Sequence, residues 1–124
     1  MRKSTILIAF SMALFASCGG AKTNKNAAEP VATLINNPTY DEGLELAVKS
    51  DCFTCHKIAE ASIGPAYEAI AAKYADNPEN ISLLAAKVIN GGVGVWGQVP
   101  MNAHPTMTKT DAEKIIKYIL LLKK

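Results

Sequence analysis

Soft ligands are scarce in this chain of 124 residues: three cysteines, Cys18, Cys52 and Cys55, and two histidines, His56 and His104. So few and so unevenly spaced thiols do not make a disulfide framework. A structural zinc site needs further Cys or His ligands at suitable spacing beside Cys52, Cys55 and His56, and the only remaining ones, Cys18 and His104, do not supply it. No concentrated basic face marks a nucleic-acid binder. Beyond the first residues no apolar run is long enough to span a bilayer, residues 115–122 falling far short. No segment alternates convincingly as a strand, and no internal repeat is present.

What is present is Cys52-Phe53-Thr54-Cys55-His56. Two thiols three positions apart, followed at once by an imidazole, form the pattern by which c-type haem is covalently attached. Two cysteines so spaced reach both vinyl groups of one porphyrin as thioethers, and the adjacent histidine is held against the iron as proximal ligand. A thioredoxin-like dithiol also uses Cys-x-x-Cys, but it wants a βαβ context that this chain lacks.

The N-terminus reads as an export signal. Arg2 and Lys3 form a positive start, residues 6–15 are apolar, and Ala16 and Ser17 are small. Residues 1–17 are therefore expected to be a signal peptide, too short for a spanning helix. Leu14-Phe15-Ala16-Ser17-Cys18-Gly19-Gly20 resembles the lipobox of bacterial lipoproteins, although Phe15 stands where leucine is usual. That resemblance implies lipid on Cys18; an ordinary cleavage nearby and an uncleaved anchor are the alternatives. The formal charge of +2 resides in Arg2 and Lys3, so the mature chain is formally neutral.

Residues 18–38 show no sustained period and read as a tether, part of which, 31–35, is apolar enough to dock on the domain. From Thr39 the signals are helical. Thr39 and Glu42 suggest a capping box with Pro38 just outside, and Leu44, Ala47 and Val48 share a face. Pro65 suits the first turn of a second helix carrying Tyr67, Ile70, Ala71 and Tyr74. A third helix is expected over 79–90, ending at Gly91-Gly92, and a last one from Lys109, capped by Thr108 or Thr110. This predicts one all-α domain over 39–124, of about 85 residues. So small a domain struggles to bury enough surface alone, and a haem plate changes that balance. The glycine-rich loop over 91–107 is long enough to demand a purpose, such as wrapping the far side of the haem and delivering a sixth ligand.

Four pieces in order, the helix before the site, Cys52-Phe53-Thr54-Cys55-His56, Ile63-Gly64-Pro65-Ala66-Tyr67 and Gly94-Val95-Trp96-Gly97-Gln98-Val99-Pro100-Met101, make the chain resemble the class I c-type cytochromes, the small bacterial mono-haem kind. The resemblance implies a fold of four to five short helices around one covalent haem c. It implies thioethers at Cys52 and Cys55, His56 as proximal iron ligand, and Met101 as the distal one. It makes Pro65 the carbonyl that accepts from the proximal imidazole, and Trp96 a donor to a haem propionate; core filling is the plain alternative for Trp96. His104, three residues after Met101, is the rival sixth ligand, and Asn102 and His104 both could bond the methionine sulfur.

The expected function is electron transfer in a bacterial respiratory chain, without enzymatic activity, because His/Met ligation leaves no vacant iron position. Asp41, Glu42, Glu45, Asp111 and Glu113 read as charged helix faces rather than catalytic pairs. Expected partners are transient redox proteins, an oxidase or reductase, together with a membrane reached through Cys18. Neither nucleic acid nor a small-molecule substrate is expected. The protein is expected to be a monomer on the periplasmic side of the envelope. Two other classes fit the motif. A haem enzyme or gas sensor would need a displaceable sixth ligand and would show high-spin ferric iron. A fixed relay subunit would co-purify with its oxidoreductase complex.

Overall fold

Helix starts in this chain are fixed by short polar side chains or by carbonyls borrowed from neighbouring loops. The computed structural model describes Leu34 and residues 36–124; the expected signal 1–17, Cys18 and most of the tether lie outside the described residues. Helix α1 spans Pro38–Lys49. Its N-cap is Asn37, whose side-chain oxygen accepts from the Thr39 amide at 3.0 Å and the Tyr40 amide at 3.3 Å. The expected Thr39–Glu42 capping box is thus displaced by two residues. Pro38 occupies the first turn, where its missing N–H costs nothing.

Helix α2, Tyr67–Lys73, begins two residues after Pro65 and has no side-chain cap. The Tyr67 and Glu68 amides instead donate to the carbonyls of Lys57 (2.9 Å) and Ile58 (3.0 Å). Those bonds replace a cap and fold the 57–66 loop back on itself. The expectation that Pro65 starts this helix is corrected accordingly. Helix α3, Pro78–Asn90, is capped by Asn77, which accepts from the Asn80 amide at 2.8 Å. Helix α4, Lys109–Leu121, is capped by Thr108 as expected, through a 3.1 Å bond from the Asp111 amide.

The core is built around α4, which packs against α1, α2 and α3. It buries Ala112, Ile115, Ile116, Tyr118, Ile119 and Leu120 against Ala47, Tyr67, Ile70, Leu84, Ala85 and Val88. Each fully buried large side chain contributes roughly 1.5–3 kcal/mol of transfer free energy. At the crossing of α1 and α4, a Cβ on Gly43 would stand 2.3 Å from Tyr118 Cβ and 2.5 Å from the Lys114 carbonyl oxygen. Only glycine lets these two helices approach so closely.

The glycine-rich segment is not structureless. Strands β1 (Gly92–Gly94) and β2 (Gly97–Met101) form an antiparallel hairpin, with Gly92 opposite Met101 and Gly94 opposite Gly97. Strand signals are weak here because the strands are three and five residues long, and four of those eight residues are glycine or proline.

Candidate functional site

Asp51 adopts a left-handed conformation (φ 57°) just after α1, which turns the chain sharply into a 3₁₀ turn over Cys52–Thr54. Amides of Cys55 (3.3 Å) and His56 (3.1 Å) both donate to the Cys52 carbonyl. In so tight a turn, residues three apart lie nearly in line, which sets Cys52 and Cys55 on one side. Both are free, half-buried cysteines lining one cavity.

His56 is buried and held by three contacts. Its Nδ1 lies 2.8 Å from the Pro65 carbonyl oxygen. A carbonyl only accepts, so Nδ1 carries the proton, and the neutral ring is left with a basic Nε2 for a metal. The ring stacks on Tyr67, with centroids 5.4 Å apart and planes at 21°. Against the ring lies Gly64: a Cβ there would come within 2.5 Å of Cε1 and 2.8 Å of Nδ1. Gly64 itself is fixed by its amide bond to the Cys55 carbonyl at 2.8 Å.

The cavity has a volume of about 690 Å³, and Met101 and His104 line it together with Cys52, Cys55 and His56. Such a size is typical of ligand and cofactor sites. Its walls are largely aliphatic, including Ile70, Leu84, Val88 and Ile115. Met101 ends β2, and its position is anchored at the C-terminus of α3. Gly91 (φ 71°) there packs so closely that a Cβ would meet the Met101 carbonyl oxygen at 2.5 Å. The His104 amide donates to the carbonyls of Val88 and Ile89, both at 3.1 Å. The hairpin base is therefore fixed on both sides of Met101.

Trp96, in the hairpin turn, is 45% exposed. It lines the cavity rim, and Lys73 Nζ sits 5.6 Å from its ring centroid. Burial pushes the Cys52 thiol above its ordinary range, with the Tyr67 hydroxyl pulling the other way. Burial likewise raises the Tyr67 phenol, Cys52 adding to the effect. The buried Tyr67 hydroxyl meets no partner with hydrogen-bond geometry among the described residues.

The donor set and its surroundings fit one covalently attached porphyrin: two adjacent thiols, an oriented imidazole, a thioether and aliphatic walls. The cytochrome c family pattern matches residues 40–123. The chain belongs to the cytochrome c family. This cytochrome is 44% identical over 83 residues to cytochrome c-551 of Allochromatium vinosum, covering 67% of this chain and 88% of that relative. It is 42% identical over 79 residues to cytochrome c-552 of Nitrosomonas europaea, covering 64% and 77% respectively. The crystal structure of the wild-type Nitrosomonas europaea protein superposes with a TM-score of 0.61 at 41% identity, covering 64% of this chain and 99% of that one. Its cofactor is covalent haem c, and its function is one-electron transfer between redox partners.

The expected site residues Cys52, Cys55, His56, Pro65, Trp96 and Met101 all line this cavity, and Cys18 lies outside the described residues. The rival His104 and Asn102 line it as well. Sequence reasoning gave no separate role to Gly64 or Lys73, took Gly91 only as the end of a helix, and treated Tyr67 only as part of a helical stripe. The Gly-Pro pair carried a signal for Gly64; contacts between distant segments carried none for the others.

Proposed function

We propose that this cytochrome is a respiratory electron carrier whose haem is held by Cys52 and Cys55 and ligated axially by His56 and Met101. The observation that carries the reading is the 2.8 Å contact of His56 Nδ1 with the Pro65 carbonyl, which leaves Nε2 as the coordinating nitrogen. When bound, the haem supplies a reversible one-electron iron couple. The chain's own residues keep its surroundings the same in both oxidation states. Gly64, Pro65 and Tyr67 hold the imidazole plane, the α3–hairpin junction holds Met101, and the aliphatic walls exclude water. A thioether ligand favours the reduced state relative to a second imidazole. Trp96 serves a propionate at the rim. With both axial positions filled there is no site for a substrate, so the protein is not an enzyme.

In this reading residues 1–17 are a signal peptide, 18–38 a tether and 39–124 the haem domain, working as a monomer. Lipid on Cys18 anchors it on the periplasmic side of the envelope. Two acyl chains suffice for stable anchoring where one does not. Among the described residues no helix is long and apolar enough to cross a membrane, which fits an anchor supplied by lipid.

Two measurements test this. Purified protein should titrate reversibly with one electron, and its haem should survive acidified organic solvent, whereas a Cys52→Ala/Cys55→Ala chain should lose it. Cys18→Ser should release a haem-loaded soluble protein; wild type found wholly in the soluble periplasmic fraction would remove the lipid assignment.

A further inference from the structure

The start of α1 and the end of α4 leave a second cavity between them, apart from the haem site. It has a volume of about 510 Å³ and shares no lining residue with the haem cavity. Tyr40 comes to it from the first turn of α1, Ile58 from the loop after His56, and Leu121 and Leu122 from the end of α4. Tyr40 is fixed edge-on to Tyr118, with centroids 5.1 Å apart. Ile58 is fixed by its carbonyl, which accepts from the Glu68 amide at 3.0 Å, yet the residue is 39% exposed. A preformed groove with apolar walls therefore stands open, and covering it releases apolar surface from water.

The described chain begins at the rim of this groove, which Leu34 and Asn36 help to line. The Asn37 amide donates to the Leu34 carbonyl at 3.2 Å, and Asn36 is left-handed (φ 66°). A four-residue turn of this kind reverses the chain, so the segment before it is directed back over the start of α1. That segment is Pro30-Val31-Ala32-Thr33, which is uncharged and mostly apolar, whereas Lys22, Lys25 and Glu29 lie further out. Ten residues line the groove, well short of the roughly 20–30 a side that a standard interface between two proteins takes. Its size suits a short piece of this chain better than a second copy.

We propose that residues 30–33 dock in this groove, with Val31 against Tyr40 and Leu122, and pin the tether to the ends of α1 and α4. The docking stands apart from the haem reading; its consequence rests on the lipid anchor proposed above. Docking shortens the free tether from residues 19–33 to 19–29, so its fully extended reach falls from about 50 Å to about 36 Å. The lining of the haem cavity stays uncovered, because the two cavities have no residue in common.

The test uses the full haem-loaded chain in detergent. In proton NMR of the wild type, the Val31 methyl protons should show nuclear Overhauser effects to the Tyr40 ring. On air oxidation, Val31→Cys/Leu122→Cys should lose both introduced thiols to a disulfide joining the two positions. Val31→Cys/Leu83→Cys, with its second thiol on the exposed side of α3, should keep both. Equal cross-linking in the two variants, or no Overhauser effect at Tyr40, would overturn the proposal. So would contacts at Tyr40 that come from acyl protons, or from a second copy in a mixture of labelled and unlabelled chains. The wild-type NMR decides alone if the paired variants do not accumulate. Failure of the lipid reading would look different, as a Cys18 mass without acyl groups while the Val31–Tyr40 contacts persist.

Discussion

Gly64→Ala would place a methyl group 2.5 Å from His56 Cε1, 2.8 Å from Nδ1 and 3.0 Å from Nε2. Gly64 is not in the left-handed region, so the cost of alanine is steric rather than conformational. The ring has little freedom to retreat, because Pro65 holds Nδ1 at 2.8 Å and Tyr67 stacks on its face. Neither can Gly64 back away without breaking its 2.8 Å bond to the Cys55 carbonyl. Overpacking a rigid site costs about 1–3 kcal/mol, and losing the His56–Pro65 bond adds about 0.5–1.5 kcal/mol. Guanidinium unfolding of the ferric haem protein, followed by far-UV circular dichroism, should therefore show a loss of about 1.5–4.5 kcal/mol. The visible spectrum should report a disturbed proximal ligand. An unchanged unfolding midpoint together with an unchanged spectrum would refute the reasoning.

Lys73→Met should weaken the hold of α2 on the hairpin turn, since Lys73 Nζ lies 5.6 Å from the Trp96 ring centroid; a loss of about 0.5–1 kcal/mol in the same unfolding assay is expected, and no loss would discount the contact. Burial holds the Tyr118 phenol at about 12 against an ordinary value of 10, and raises Tyr67 in the same direction. Unfolding therefore releases protons above pH 10, so stability should be flat below that value and fall through about pH 12; a midpoint constant across this window would contradict the burial of these hydroxyls. Ile63, Val93, Val95 and Val99 are all exposed near the cavity mouth on a formally neutral mature chain, so partner docking should be mainly apolar. The bimolecular electron-transfer rate should then depend weakly on salt, and a steep fall between low and physiological ionic strength would show charged steering instead.

The attachment pair and His56 were legible because their chemistry is local: three side chains within five residues define it. The last helix was legible for a similar reason, its apolar stripe and Thr108 cap being contiguous. Asn37 was missed although the sequence held the clue, because a proline prefers the first helical turn and Pro38 therefore points to the residue before it as the cap. The hairpin was missed because its strands are short and rich in glycine, with Pro100 in the second, so strand propensity had little to report. Gly43 and Gly64, and the packing role of Gly91 beyond its helix-ending one, were silent for another reason. Each is needed where a segment remote in sequence comes too close for a Cβ, and no local pattern records that approach.

The identity of the sixth iron ligand tests the central claim most directly, because Met101 and His104 both line the haem cavity. The measurement is the ferric axial-ligand spectrum of wild type, Met101→Ala and His104→Ala, each with and without added cyanide. If Met101 is the ligand, Met101→Ala should lose the thioether signature, bind cyanide readily and shift to a lower potential. His104→Ala should keep the wild-type spectrum. The opposite pattern, with the signature surviving in Met101→Ala and vanishing in His104→Ala, would establish bis-histidine ligation and contradict the account.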